Sequence, residues 1–142
     1  MKSSGFTIIE ILVVMAIIAV IASFGMILSQ DFFRSYTFRS ETSALVSVLS
    51  KARTQAISNI NQQPHGVRVE PGQYIIFQGS TFDPSDPNNF AVKTQPAVTN
   101  NGPATIIFSQ VSGDVATPTT IILTGDGHTA AVKVNSAGRI DW

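Results

Sequence analysis

His65 and His128 are the chain's two histidines, and each follows a turn residue, Pro64 in one case and Gly127 in the other. Paired imidazoles can ligate a metal or act as general acid and base. Histidines placed in turns are instead expected to be solvated loop residues. Asp83, Asp86 and Asp126 also fall in turn clusters, where aspartate commonly bonds its own backbone. Oxygen-rich loops can supply calcium ligands, but the Asp-x-Asp-x-Asp-Gly spacing is missing. The chain has no cysteine, so it has no disulfide framework, no Cys-based zinc site and no thiol nucleophile. Neither a Gly-rich phosphate loop nor a nucleophile elbow is present. No catalytic constellation, cofactor or metal is therefore expected, and the chain is not read as an enzyme.

Glu10 is the acidic residue in the most unusual setting. It follows Phe6-Thr7-Ile8-Ile9 and precedes Ile11 to Gln30, a run without charge or proline. At about 1.5 Å per residue this run is about 30 Å long as a helix, the thickness of a bilayer hydrocarbon core. It is apolar on every face, unlike a surface helix of a soluble domain. It exceeds the 7–15 residues of a signal-peptide apolar region, and Phe24-Gly25-Met26 is a poor cleavage site of that type. A small domain could hardly cover all its faces as a core helix. Hydropathy alone therefore gives a membrane anchor. A carboxylate within such a segment is costly and is usually paired or functional; the simpler alternative is that Glu10 marks the water interface.

The stretch Lys2-Ser3-Ser4-Gly5-Phe6-Thr7-Ile8-Ile9-Glu10 resembles the leader and cleavage site of type IV prepilins and type II secretion pseudopilins. The family pattern is a short basic leader, a glycine, a phenylalanine, a glutamate fifth in the mature chain, and then a long apolar helix. The resemblance implies that prepilin peptidase cuts between Gly5 and Phe6 and that the new amine of Phe6 is N-methylated. Gly5, lacking a side chain, lets an enzyme approach its carbonyl and lets the backbone leave the helical path. Lys2 favours the cytoplasmic side by the positive-inside rule. Glu10 lies one helical turn beyond the new amine, and in a filament it could pair with the Phe6 amine of a neighbouring subunit. An unpaired carboxylate in a low-dielectric bundle would cost more than a paired one.

With nine basic and nine acidic side chains the formal charge is zero, which gives no general reason to expect nucleic acid as a partner. Its 142 residues suffice for one head domain. Leu45, Leu49, Ala52, Ala56 and Ile60 recur at helical spacing, so a helix is expected to continue to about Asn59–Gln63, ahead of Pro64. Phe32, Phe33, Tyr36 and Phe38 sit at the expected exit from the bilayer, as an aromatic belt or as packing surfaces for neighbouring subunits. After Pro64 the period becomes two. Strands are expected at 66–70, 73–77, 90–93, 105–109, 120–123 and 130–134, with turn clusters at Pro71-Gly72, 79–89, 99–103, 125–127 and 136–138. Arg139 to Trp142 form a short end. The plan is α+β and pilin-like: residues 1–5 a cleaved leader, 6–30 a transmembrane and filament-core helix, 31–142 a periplasmic head in which the amphipathic half of the helix packs on an antiparallel β-sheet.

Lys51-Ala52-Arg53-Thr54-Gln55-Ala56-Ile57, then Gly66-Val67-Arg68-Val69, is similar to the GspH/FimT group of minor pseudopilins and minor pilins. So are Ile106-Ile107-Phe108, Gly113, Thr120 to Leu123, Val132-Lys133-Val134 and Gly138-Arg139-Ile140. This resemblance implies a minor structural subunit of a type II secretion pseudopilus or a type IV pilus. Its implied partners are other pilin or pseudopilin subunits, prepilin peptidase, an inner-membrane assembly platform and membrane lipid. Its implied place is the bacterial inner membrane, N-terminus cytoplasmic and head periplasmic, and then a filament. Some FimT-like pilins take up DNA through a Gly-Arg-x-Arg tail, and others present adhesion surfaces. Here Asp141 occupies the place of the second arginine. Lys133, Arg139 and Trp142 are the residues such a DNA site would use; the preferred alternative is a solvated Arg139 and a Trp142 packed on the sheet.

Overall fold

The computed structural model describes residues 5–95, 98–125 and 127–142. Side chains of residues 24–31 are not described, and the leader's Lys2, the Phe24-Gly25-Met26 step and Asp126 lie outside the described side chains. The chain divides into two compact units, Met1–Tyr36 and Thr37–Trp142.

The first element, α1, spans Ile8–Ile57, 50 residues without a proline. Thr7 opens it as an N-cap, and the helix ends where Asn59 turns left-handed at φ 53°, a conformation asparagine tolerates at helix ends. A short 3-10 turn, Ile60–Gln62, follows. The helical face drawn through Ile60 thus stops one turn earlier: Ile60 is 42% exposed, whereas Leu45, Leu49, Ala52 and Ala56 are fully buried.

The head's strands are β1 (His65–Glu70), β2 (Gln73–Gln78), β3 (Phe90–Lys93), β4 (Thr99–Asn101), β5 (Thr105–Phe108), β6 (Thr119–Gly125), β7 (His128–Val134) and β8 (Ile140–Asp141). They form the expected antiparallel β-structure, divided into two four-stranded sheets of order β3-β2-β1-β5 and β4-β6-β7-β8. The Pro71-Gly72 turn sets β1 against β2 with Glu70 opposite Gln73 and Gly66 opposite Phe77. Strand β4 occupies part of the stretch expected to be a turn. Its Thr99, Asn100 and Asn101 pair with Thr124, Leu123 and Ile122 of β6.

One core joins α1 to both sheets. Phe38, Leu45, Leu49 and Ala52 from the helix meet Val67, Tyr74, Ile76 and Phe108 from the first sheet and Ile121, Leu123, Val132 and Val134 from the second. Strand β6 shows why: Ile121 and Leu123 are buried while Thr120, Ile122 and Thr124 between them are exposed, the alternation that one covered face imposes. Phe38, grouped by sequence with the exit aromatics, is a core residue at 6% exposure, with its ring centroid 5.5 Å from that of His128.

The outer face of the first sheet is covered as well. Phe82, from the 79–89 loop, meets the Phe77 ring edge-on at 5.4 Å. The Arg68 guanidinium stands 5.5 Å from the Phe82 ring, and Phe77 lies over Gly66, where a Cβ would come within 2.5 Å of its Cζ.

Candidate functional site

The N-terminal residues are arranged as a capped and open helix start. Thr7 donates its backbone N–H to Glu10 Oε2 at 2.8 Å and its hydroxyl to the same oxygen at 2.9 Å. Glu10 N–H returns a bond of 3.3 Å to Thr7 Oγ1. This is a capping box, in which a threonine N-cap and a glutamate three residues later satisfy helix-end donors reciprocally. Gly5, Phe6 and Thr7 therefore stay outside the helix. Space around Gly5 is open, and Phe6 is 83% exposed. The sequence offered Glu10 as a candidate partner for a neighbour's amine; inside the chain, the structure shows two bonds from Thr7 that both use one of its two oxygens.

From Phe6 to Ile21, every large apolar side chain in this unit is more than half exposed. Among the described residues no helix is long and apolar enough to cross a membrane; the described side chains of the apolar run end at Ser23. Phe32, Phe33 and Tyr36 are exposed by 73%, 69% and 65%, so three of the four exit aromatics are uncovered in the single chain.

At the other end, the residues considered for DNA are close to one carboxylate. Arg139 Nε and Nη2 both lie 2.9 Å from Asp141 Oδ1, and Lys133 is the register partner of Asp141 across β7 and β8. Trp142 is 74% exposed and does not pack on the sheet as expected. The tail thus carries an exposed ring and two cations with an acid between them.

The histidines and aspartates also have definite places. His65 begins β1 and is buried at 4% exposure rather than solvated. Its Nδ1 donates to the Gln63 carbonyl at 3.1 Å, and burial lowers its pKa, opposed by that bond. His128 begins β7 and is exposed. Asp83 accepts the Ser85 N–H, and Asp86 accepts from Asn88 and Gln78. The Asn88 bonds, backbone first, hold the Asp86 carboxyl below its ordinary value. These oxygens serve the turn itself. Among the described residues no three His, Cys, Asp or Glu side chains gather as a metal site.

Two residues carry a structural role that the sequence did not assign them, Glu41 and, within a family-like motif, Arg53. Glu41 is a buried carboxylate at 3% exposure whose Oε2 accepts the Gln95 N–H at 3.0 Å. It tethers α1 to the segment joining β3 of one sheet to β4 of the other. Burial first, and then the neighbouring Glu41, push the Tyr74 phenol above its ordinary range. The signal was a lone acid on the face shared by Phe38, Leu45 and Leu49. Arg53 donates from Nη2 to the Ala137 carbonyl at 3.1 Å, beneath Gly113 and Gly138, both at positive φ. A Cβ on Gly138 would strike the Gly113 carbonyl, and one on Gly113 would lie 2.7 Å from Ile57 Cγ1. The family-like motifs around Arg53, Gly113 and Gly138 thus converge on one packing point.

A long helix with a capped, open start, its C-terminal half packed on antiparallel sheets, defines a type IV pilin-like subunit. A family model described as the prokaryotic N-terminal methylation motif matches residues 1–26, and one described as type II transport protein GspH matches residues 41–138. The chain belongs to the GspH family and is a pseudopilin-type precursor of the class that prepilin peptidase processes. No curated protein and no solved structure matched it.

Proposed function

We propose that the chain is a minor subunit of a type II secretion pseudopilus, cut between Gly5 and Phe6 by prepilin peptidase and N-methylated at Phe6. It is held in the bacterial inner membrane by residues 6–30, with the head in the periplasm, until an inner-membrane assembly platform moves it into a filament of other pseudopilins. There it supports protein secretion; the same parts would serve a type IV pilus. The observation that carries this reading is the Thr7–Glu10 capping box. It leaves the Gly5–Phe6 bond outside the helix, directly before apolar side chains that the single chain leaves uncovered. Peptidase reaches such a bond without unwinding helix. After the cut, Glu10 Oε1 remains to meet the Phe6 amine of a neighbour, and desolvation in the bundle favours the pair over a lone carboxylate.

The test is Glu10→Val in cells carrying the remaining subunits. The variant should fractionate with the membrane as the parent does and be missing from sheared filaments; normal incorporation would defeat the role assigned to Glu10. The DNA-binding alternative draws no support from the tail, where Asp141 holds Arg139.

A further inference from the structure

Strands β4 and β5 are parts of one run, 99–108, which lies opposite 115–124 in a single register. Thr99 pairs with Thr124 and Asn101 with Ile122 at one end. Phe108 pairs with Val115 at the other, followed by a 2.8 Å bond from the Ser109 N–H to the Asp114 carbonyl. Between those ends the described residues form no pair, and a pocket of about 260 Å³ occupies the gap. Its walls include Pro103, Thr105, Ile106, Ile107, Ala116 and Thr117. Pro103, Ala116 and Thr117 are exposed, so the gap is open to solvent.

Prolines keep the two strands apart. In this register Pro118 faces Thr105 and Pro103 faces Thr120, and a proline brings no N–H to a ladder. The bond from the Val69 N–H to the Ala104 carbonyl fixes the phase of β5 on β1. That phase turns the Thr105 backbone groups away from β1, to the side where Pro118 lies. The Thr105 carbonyl therefore lacks its ladder donor. No charged residue lines the pocket. Arg68, which donates to Thr105 Oγ1 at 3.2 Å, is paired with Glu70 at 3.3 Å, and Asp114, next to Val115, is exposed to solvent. Charge does not select the occupant.

Such a site calls for a large apolar group with one hydrogen-bond donor. Tryptophan is that group, an apolar body whose single N–H only donates. Among the described exposed large apolar side chains of the 37–142 unit, Trp142 alone carries a donor. It is 74% exposed and has no ring or hydrogen-bond partner among the described residues. It cannot reach the pocket of its own chain, because β7 and β6 lie between β8 and the gap. We propose that the gap between β5 and 115–119 receives Trp142 of a second copy of this chain, the indole N–H donating to the Thr105 carbonyl. The pocket is smaller than the roughly 300–1,000 Å³ that holds a drug-sized ligand, which suits one side chain. Donor and pocket are different surfaces, so the contact repeats from copy to copy. One tryptophan buries about 150–250 Å², against about 1,200–2,000 Å² in a stable interface. The contact is therefore weak alone and acts where copies are already held side by side. That crowding rests on the filament reading; the contact itself does not.

The experiment is NMR on the isotope-labelled full chain carrying Trp142→Ala, in detergent micelles, following the amides of Thr105, Ile107 and Ala116. The probe is the unlabelled parent chain, with unlabelled Trp142→Phe and Trp142→Ala chains as comparisons. The parent should shift these amides increasingly with its concentration. The Phe chain should act about two- to ten-fold more weakly, for want of one hydrogen bond, and the Ala chain should do nothing. Ala116→Leu in the labelled chain, which fills an exposed rim, should abolish the response while the rest of its spectrum stays that of the folded head. No shift from the parent, an equal shift from the Phe or the Ala chain, or a response that survives Ala116→Leu would overturn the assignment. None of these readouts needs cleavage, methylation or a filament, so their failure is distinct from failure of the Glu10→Val test.

Discussion

One carboxylate oxygen of Glu10 receives both the backbone amide and the hydroxyl of Thr7, and no hydrogen bond among the described residues reaches the other. Glu10 therefore has a local task, starting the helix, beside the intersubunit task assigned to it.

The two tasks separate by substitution. Thr7→Ala removes the cap and should cost the helix start about 1 kcal/mol, seen as faster amide exchange at Glu10 and Ile11, whose N–H groups bond to Thr7, while filament incorporation continues. Glu10→Gln keeps an acceptor for Thr7 and loses the charge. Its exchange should stay near that of the parent while incorporation falls. Loss of incorporation in Thr7→Ala equal to that in Glu10→Gln would make capping, rather than charge, the decisive property.

Gly138→Ala should destabilise the head strongly. The new Cβ meets the Gly113 carbonyl, and the residue must hold φ 68°. Overpacking costs about 1–3 kcal/mol and the left-handed conformation about 1–2 more. A fall in Tm of about 8 °C or more is expected by calorimetry. Gly127→Ala is the control, since nothing lies within 4 Å of a Cβ there; it should show the conformational part alone.

His65 gives the head an acid sensitivity of known sign. Its folded pKa lies below the ordinary 6.5 because burial disfavours the cation. The unfolded chain then binds the proton more readily, so stability falls as pH drops below about 6.5 and is unaffected well above it. His65→Gln removes this contribution. The Tm of the parent should fall more than that of the variant between about pH 7.5 and pH 5, and parallel curves would show that His65 does not titrate on unfolding.

The Arg139–Asp141 pair predicts that the head shows no salt-sensitive binding to duplex DNA by fluorescence anisotropy and that Arg139→Ala changes nothing. Asp141→Asn, which releases the guanidinium, should produce weak binding that disappears as salt is raised. Parent binding abolished by Arg139→Ala would restore the DNA-uptake reading.

Much of the head is legible from pattern. Pro71-Gly72 between two period-two runs marks the β1–β2 hairpin, and β3 falls at Phe90–Lys93 as expected. The match ends where tertiary contact decides. Thr99-Asn100-Asn101 has the composition of a turn and is a strand because β6 offers it an edge. Phe38 was assigned by its neighbours, although its seven-residue spacing to Leu45 places it on the buried face. His65 sits beside a proline and looks like a loop residue; pairing with both Gln78 and Phe108 buries it. At the processing region the residue types carry the reading, while the Thr7 bond to Glu10 needed atomic positions.

The most direct measurement is intact-mass and N-terminal peptide mass spectrometry on the protein recovered from cells with an active prepilin peptidase. The account predicts a mature chain beginning at N-methylated Phe6, lacking residues 1–5. A chain still beginning at Met1, or one cut at a different bond, would contradict it.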